Sequence, residues 1–365
     1  MIDPAALLQE VAAIPSPSGE ERAVAAHLIS RMSEVGGRSF VDDSGSAVCQ
    51  VGKGPLHVMF LGHIDTVPGK IEVRVEDGRL YGRGTVDAKG PFCAAVAAAS
   101  RLSGAARAAL TVTLIGATEE EASSSRGARY ALRSHRRPDL LIIGEPSGWD
   151  AITLGYKGRL VVKGTVIKAC HHSAGSESSA AEDAIAAWNA VVAWAGELNR
   201  GVDGIFDLVQ ATLQHIESDD DGLEQRCRFT IGLRLPPALP PDAARSGLTA
   251  ALSGVARVEF AGAEPPYRGP RDTALTRAFR IAIRQHGGVP RFKVKTGTSD
   301  MNVVAPHWGV PTVAYGPGDS SLDHTPDEHV EIADLRRAGD VLLSVFERLA
   351  TLPASDRGLA EPSAS

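Results

Sequence analysis

The sequence predicts an α/β fold: a mostly parallel sheet covered by helices and interrupted by an inserted ferredoxin-like α+β domain. Two observations predict it. Over residues 1–155 short apolar runs alternate with helical patterns, the order of a parallel sheet buried on both faces. Between residues 157 and 263 the order becomes β-α-β-β-α-β, that of a split βαβ sandwich. The expected outer domain is therefore 1–156 with 264–352, the insert 157–263, and a disordered tail 353–365.

Each element has a local reason. The Ser16-Pro17-Ser18-Gly19 turn leads into a helix around residues 20–36. AVCQV and LHVMFLG read as buried strands by length and content. An Ala-rich helix, AKGPFCAAVAAASRLS, follows Asp87. ALTVTLIGAT and DLLIIGEPS are further buried strands that end in polar residues. In the insert, GRLVVKGTVIKA reads as a strand and SAAEDAIAAWNAVVAWAGEL as a helix. FDLVQATLQHI and RCRFTIGLRL read as a strand pair, PDAARSGLTAAL as a helix and VARVEFAG as a last strand. After Pro265-Pro266, the helix TALTRAFRIAIRQHG, the strand VPTVAYGPG and the helix ADLRRAGDVLLSVFERLA resume the first pattern.

Composition narrows the classes. At 365 residues, 22% charged and 43% hydrophobic, the chain has room for two globular domains and is not of disordered type. A net charge of −6 gives no general reason to expect nucleic-acid or membrane binding. The N-terminus lacks the basic segment of a signal peptide, and no run approaches the roughly 20 apolar residues of a membrane span. Cys49, Cys93, Cys170 and Cys227 are scattered without a CxxC, which fits a reducing cytosol.

In open parallel sheets ligands gather at the carboxyl ends of strands. LHVMFLG ends on His63 and Asp65, VTLIGAT runs into Glu119, Glu120 and Glu121, and LLIIG into Glu145. Asp87 in GRGTVDAKG opens a helix, and His324 in SLDHTPDEH follows VPTVAYG. Singly each has a plainer role: a turn residue, a helix N-cap, a solvated acidic loop. Jointly, two imidazoles and several carboxylates on one sheet edge form a ligand set for zinc. A shared carboxylate would make it a two-metal site, with ions about 3.5–4 Å apart.

The order H-x-D, D, E-E, E, H over residues 5–350 resembles the dinuclear-zinc M20 peptidases and deacylases. The resemblance implies a zinc-peptidase catalytic domain, an insert that acts as lid and dimerisation domain, and two Zn2+ per subunit, with Co2+ able to substitute. It implies that His63, Asp87 and Glu145 hold one metal, and that Asp87 bridges to a second held by Glu121 and His324. Asp65 would orient the His63 ring, and Glu120 would be the general base. The register one residue earlier, with Glu119 as base and Glu120 as ligand, stays open. His172, followed by Ser173-Ala174, would stabilise the oxyanion, His171 being the alternative. The resemblance further implies a cis peptide at Asp87-Ala88.

Within that family, ITLGYKGRL, EEEASSSRGARY, TGTSDMNVVAPHWG and AYGPGDSSLDHTPDEH resemble the lysine/ornithine hydrolases of lysine and arginine biosynthesis. Those cytoplasmic enzymes release lysine or ornithine from the γ-carboxyl of the C-terminal Glu of the acidic carrier protein LysW. Arg234 is then a candidate for gripping a substrate carboxylate. Ser299 and Asp300 are candidate pocket residues, Asp300 for a terminal amine. Arg126, Arg129, Arg133, Arg136 and Arg137 fall within 12 residues past the Glu run, an expected steering patch at the site mouth. Two rivals remain: a small-molecule deacylase acting on acetylornithine or succinyl-diaminopimelate, and a non-catalytic binding protein of the same fold.

Overall fold

The strand Leu56–His63 is buried along its whole length, as an unbroken apolar run requires once helices cover both faces. It pairs in parallel with Leu110–Ala117 on one side and Leu140–Gly144 on the other, and Thr312–Ala314 continues the parallel set. Antiparallel strands flank this group. Ala47–Val51 and then Arg38–Val41 lie beyond Leu110–Ala117, and Ala151–Tyr156 lies beyond Thr312–Ala314. The register sets His63 level with Ala117 and Gly62 level with Gly144. Whatever follows these strands in sequence therefore emerges on one edge.

This computed structural model describes residues 1–172 and 174–353. Ser173, and the expected tail apart from Pro353, lie outside the described residues. The chain divides into two compact units: Met1–Gly155 with Gly269–Val294 and the chain from Val303, and Tyr156–Arg268 with Lys295–Asn302. In the first unit the helix Lys89–Ser100 is almost wholly buried, packed by Ile332–Ala350 and by Pro4–Ala12. Its run of alanines lets these neighbours approach without large side chains between them. A small antiparallel sheet joins Arg74–Glu76, Arg79–Tyr81 and His329–Glu331. At three residues each, these strands are too short for a periodic signal in the sequence.

The second unit is a four-stranded antiparallel sheet in the order Gln210–Asp220, Glu224–Leu235, Gly158–Ala169, Arg257–Glu264. Numbered within the unit, that is 2-3-1-4, the ferredoxin-like order. Helices Ala180–Leu198 and Pro241–Ala251 share its core with Leu160, Val162, Phe229 and Ile231. Ser179 and Glu182 close a capping box at the start of the first of these helices. The strand expected from Phe206 begins at Gln210 instead. Phe206 and Val209 are buried in the preceding turn, so their apolar character reads as strand where the chain is still turning.

All four cysteines are free, and Cys49, Cys93 and Cys227 are buried. Among the described residues no helix is long and apolar enough to cross a membrane.

Candidate metal centre

The Asp87 carboxylate lies between two imidazoles. Its Oδ1 is 3.1 Å from His63 Nε2, and its Oδ2 is 3.1 Å from His324 Nε2. Glu121 Oε1 stands 2.9 Å from the same His324 nitrogen. Three donor groups come within 4.8 Å: His63, Asp87 and Glu145; Asp87, Glu121 and His324; and His63, Glu120 and Glu121. The first two share Asp87. The peptide from Asp87 to Ala88 is cis.

Local structure aims each group. His63 Nδ1 lies 3.0 Å from the Asp65 main-chain carbonyl and 3.4 Å from Asp65 Oδ1. A proton donated from Nδ1 leaves the Nε2 lone pair as the ligand atom. Asp65 does more than orient that ring. Its Oδ1 accepts the Glu120 N–H at 3.1 Å, and its Oδ2 accepts the Glu121 N–H at 3.0 Å and the Ser18 hydroxyl at 2.7 Å. Glu119 takes a left-handed backbone, φ 58°, and its carboxylate is held by Ser124 and Arg126. Glu119 belongs to none of the three donor groups. Behind the run, the helix Arg126–Ser134 lies so close to the strand end that a Cβ on Gly127 would fall 2.5 Å from the Thr118 nitrogen.

The charge balance points to a cation. Burial alone would depress the His63 imidazole, yet the Asp65, Asp87 and Glu120 carboxylates hold it well above the ordinary histidine value. His324 is pushed up to about 9, first by its bond to Asp87. Glu121 is pushed up to about 7, by burial and by the charge of Asp87. Four carboxylates and two imidazoles share one half-buried space, so protons are retained where positive charge is needed. One imidazole and one carboxylate on either side of a shared Asp87, His63 with Glu145 and His324 with Glu121, fit a divalent metal of zinc type.

Sequence reasoning missed two supports. Ser18 bonds Asp65, and the Glu21 carboxylate accepts the Gly19 and Glu119 N–H groups at 2.8 and 3.1 Å. Ser18 sits in the SPSGE turn and Glu21 directly follows it, and the density of capping side chains there was the available signal.

The arginine patch departs from expectation. The helix Arg126–Ser134 leaves the metal edge and runs back towards the start of Leu140–Gly144. There Asp139 Oδ2 accepts the His57 N–H at 2.7 Å, and the Arg137 carbonyl lies 3.4 Å from His57 Nδ1. Six residue steps along the strand separate His57 from His63, about 20 Å at roughly 3.3 Å per residue. Arg126 opens the helix at the metal edge, whereas Arg136 and Arg137 lie at the opposite one, away from the site mouth.

The remaining candidates lie in the second unit. His172 is exposed on the loop after Gly158–Ala169 and accepts the Ala174 N–H at 3.1 Å; His171 is half-buried beside it. Arg234 donates to Thr298 Oγ1 at 2.6 Å. Ser299 and Asp300 are buried, and Ser299 Oγ accepts the Met301 N–H at 3.2 Å.

A model of the peptidase family M20/M25/M40 matches residues 59–348. A protein of Deinococcus radiodurans named LysW-lysine hydrolase is 55% identical over 348 residues, covering 94% of this chain and 96% of that one. One from Sulfurisphaera tokodaii, named LysW-lysine/LysW-ornithine hydrolase, is 28% identical over 348 residues and 94% of each chain. The crystal structure of an M20 family metallo-carboxypeptidase from Sulfolobus solfataricus superposes with a TM-score of 0.79 at 18% identity, over 96% of this chain and 100% of that one, and so shares the fold. The chain belongs to the peptidase family M20/M25/M40.

Proposed function

We propose that the protein is a two-zinc amide hydrolase that releases lysine, or ornithine, from the γ-carboxyl of the C-terminal Glu of LysW. The observation that carries the chemistry is the Asp87 carboxylate held between His63 and His324. The substrate rests on the 55% identity, over nearly the whole of both chains, to the Deinococcus radiodurans LysW-lysine hydrolase.

In this reading His63, Asp87 and Glu145 hold one Zn2+, and Asp87, Glu121 and His324 the other. Bound there, the ions would supply Lewis acidity, drawing the pKa of a water towards about 7 and polarising the amide carbonyl. Glu120 takes the proton of the attacking water and returns it to the leaving amine nitrogen as the C–N bond breaks. Support for that role is its position, with Oε2 4.0 Å from His63 Nε2 and its main chain fixed by Asp65. His172 donates to the developing oxyanion, Arg234 grips a substrate carboxylate, and Ser299 and Asp300 line the pocket. Residues 1–156 and 264–352 form the catalytic domain, and 157–263 a lid through which two subunits pair in the cytoplasm.

Incubation of the zinc-loaded protein with lysine-loaded LysW and with N-acetylornithine tests the reading. Release of lysine at the higher kcat/KM is expected. Faster hydrolysis of acetylornithine would transfer the function to the small-molecule deacylases.

A further inference from the structure

We infer that Glu328 is a positioning residue for the bridging carboxylate, clamping the main chain of Asp87 from the segment that also supplies His324. The inference rests on the reading that Asp87 is shared by two metals.

Glu328 is completely buried. His329 pairs with Tyr81 at the start of the strand His329–Glu331, so Glu328 leaves the small sheet opposite Gly82, whose N–H its carbonyl accepts at 3.2 Å. From there the carboxylate reaches across the turn that ends at Asp87. Its Oε1 accepts the Val86 N–H at 3.0 Å and the Asp87 N–H at 3.2 Å. Its Oε2 takes Arg83 Nη1 at 2.9 Å. Arg83 also donates to the Thr325 carbonyl at 3.2 Å and to the Gly69 carbonyl at 3.3 Å.

The consequence is a closed loop of constraints. Thr325 directly follows His324, so the Arg83–Glu328 pair ties the His324 segment to the Asp87 turn. With its main-chain N–H held by Glu328, Asp87 presents its two carboxylate oxygens to opposite sides, one to each imidazole. Charge-assisted bonds to main-chain N–H groups are strong in a buried site, and groups that orient metal ligands affect affinity nearly as directly as the ligands do. A purely structural buried Arg–Glu pair is the alternative. It would stabilise the turn without coupling to metal.

The test is a double-mutant cycle on the full chain, read as zinc affinity by competition with a chromophoric chelator, with apo melting temperature recorded in parallel. Glu328→Gln preserves shape and an acceptor for the N–H groups, but removes the charge facing Arg83. It is expected to weaken zinc binding about 10-fold. That loss should disappear when Asp87→Asn is already present, because the effect passes through Asp87. An equal loss in both backgrounds, or a lowered apo melting temperature with unchanged zinc affinity, overturns the inference. If Glu328→Gln does not fold, Arg83→Lys takes its place in the same cycle. Wild-type protein that binds fewer than two zinc ions overturns the bridging reading, and this inference with it. Two ions bound equally well by wild type and Glu328→Gln overturn this inference alone.

Discussion

The Asp65 carboxylate accepts the Glu121 N–H at 3.0 Å through one oxygen, while the other accepts the Glu120 N–H at 3.1 Å. One completely buried side chain thus joins the strand end that carries His63 to the loop that carries the proposed base and ligand. Burial would raise its pKa, but bonds from His63, from the Ser18 hydroxyl and from the Glu121 N–H hold it below the ordinary carboxylate value. It stays ionised, so both oxygens accept.

Asp65→Asn replaces one acceptor oxygen with an amide that can only donate. One of those N–H groups then faces another donor. A loss of about 1–3 kcal/mol in apo stability is expected, together with a zinc affinity about 10–100-fold lower. Chemical denaturation and chelator competition measure the two. Unchanged zinc affinity would show that Asp65 does not act on the ligand loop.

The base and the ligand separate by substitution. Glu120→Gln should keep full metal content and lower kcat by about 10²–10⁴-fold, the range of a lost general base. Glu121→Gln should lose metal first, because Glu121 meets His324 at 2.9 Å. Metal analysis beside steady-state kinetics distinguishes them. If Glu119→Gln abolishes turnover while Glu121→Gln is mild, the roles sit one residue earlier.

Metal binding should release protons. In the metal-free protein His63 lies well above its ordinary pKa, His324 at about 9 and Glu121 at about 7. A ligand must give up its proton to bind metal. Zinc affinity is therefore expected to rise with pH between about 7 and 9, with proton uptake by buffer visible in calorimetry across buffers of different ionisation enthalpy. The apo protein has the opposite slope. Groups whose pKa is raised on folding contribute stability below their unfolded values, and lose it as pH rises through about 7 for Glu121 and about 9 for His324. The gap between holo and apo melting temperatures should widen over that interval; a constant gap contradicts the linkage.

Steering should follow the sheet edge. Arg126 starts its helix beside the Glu run, whereas Arg136 lies near His57, about 20 Å from His63. That exceeds the Debye length of about 10 Å at 0.1 M salt. Arg126→Ala is expected to lower kcat/KM for lysine-loaded LysW and flatten its salt dependence; Arg136→Ala should leave both unchanged. A loss with Arg136→Ala equal to that with Arg126→Ala would show that carrier docking extends to the far edge.

The sequence by itself determined the strands, their polar ends and the chemistry of the donor set. Those signals are local: a run such as LHVMFLG is apolar because both faces are buried, and His63 follows because the strand stops there. Helix and strand order also exposed the insert, since the insert obeys a different rhythm from the chain around it. Tertiary structure alone decided what depends on distance between remote segments. It turned Glu119 towards Ser124 and Arg126 and brought Glu121 to His324, although the three glutamates are chemically alike. It carried Arg136 and Arg137 to the edge opposite the metal centre, because the helix runs back along its strand. It also brought Glu328 onto the Asp87 main chain, 241 residues away in sequence. Such a contact is fixed by how the chain packs, and no local pattern of residues encodes it.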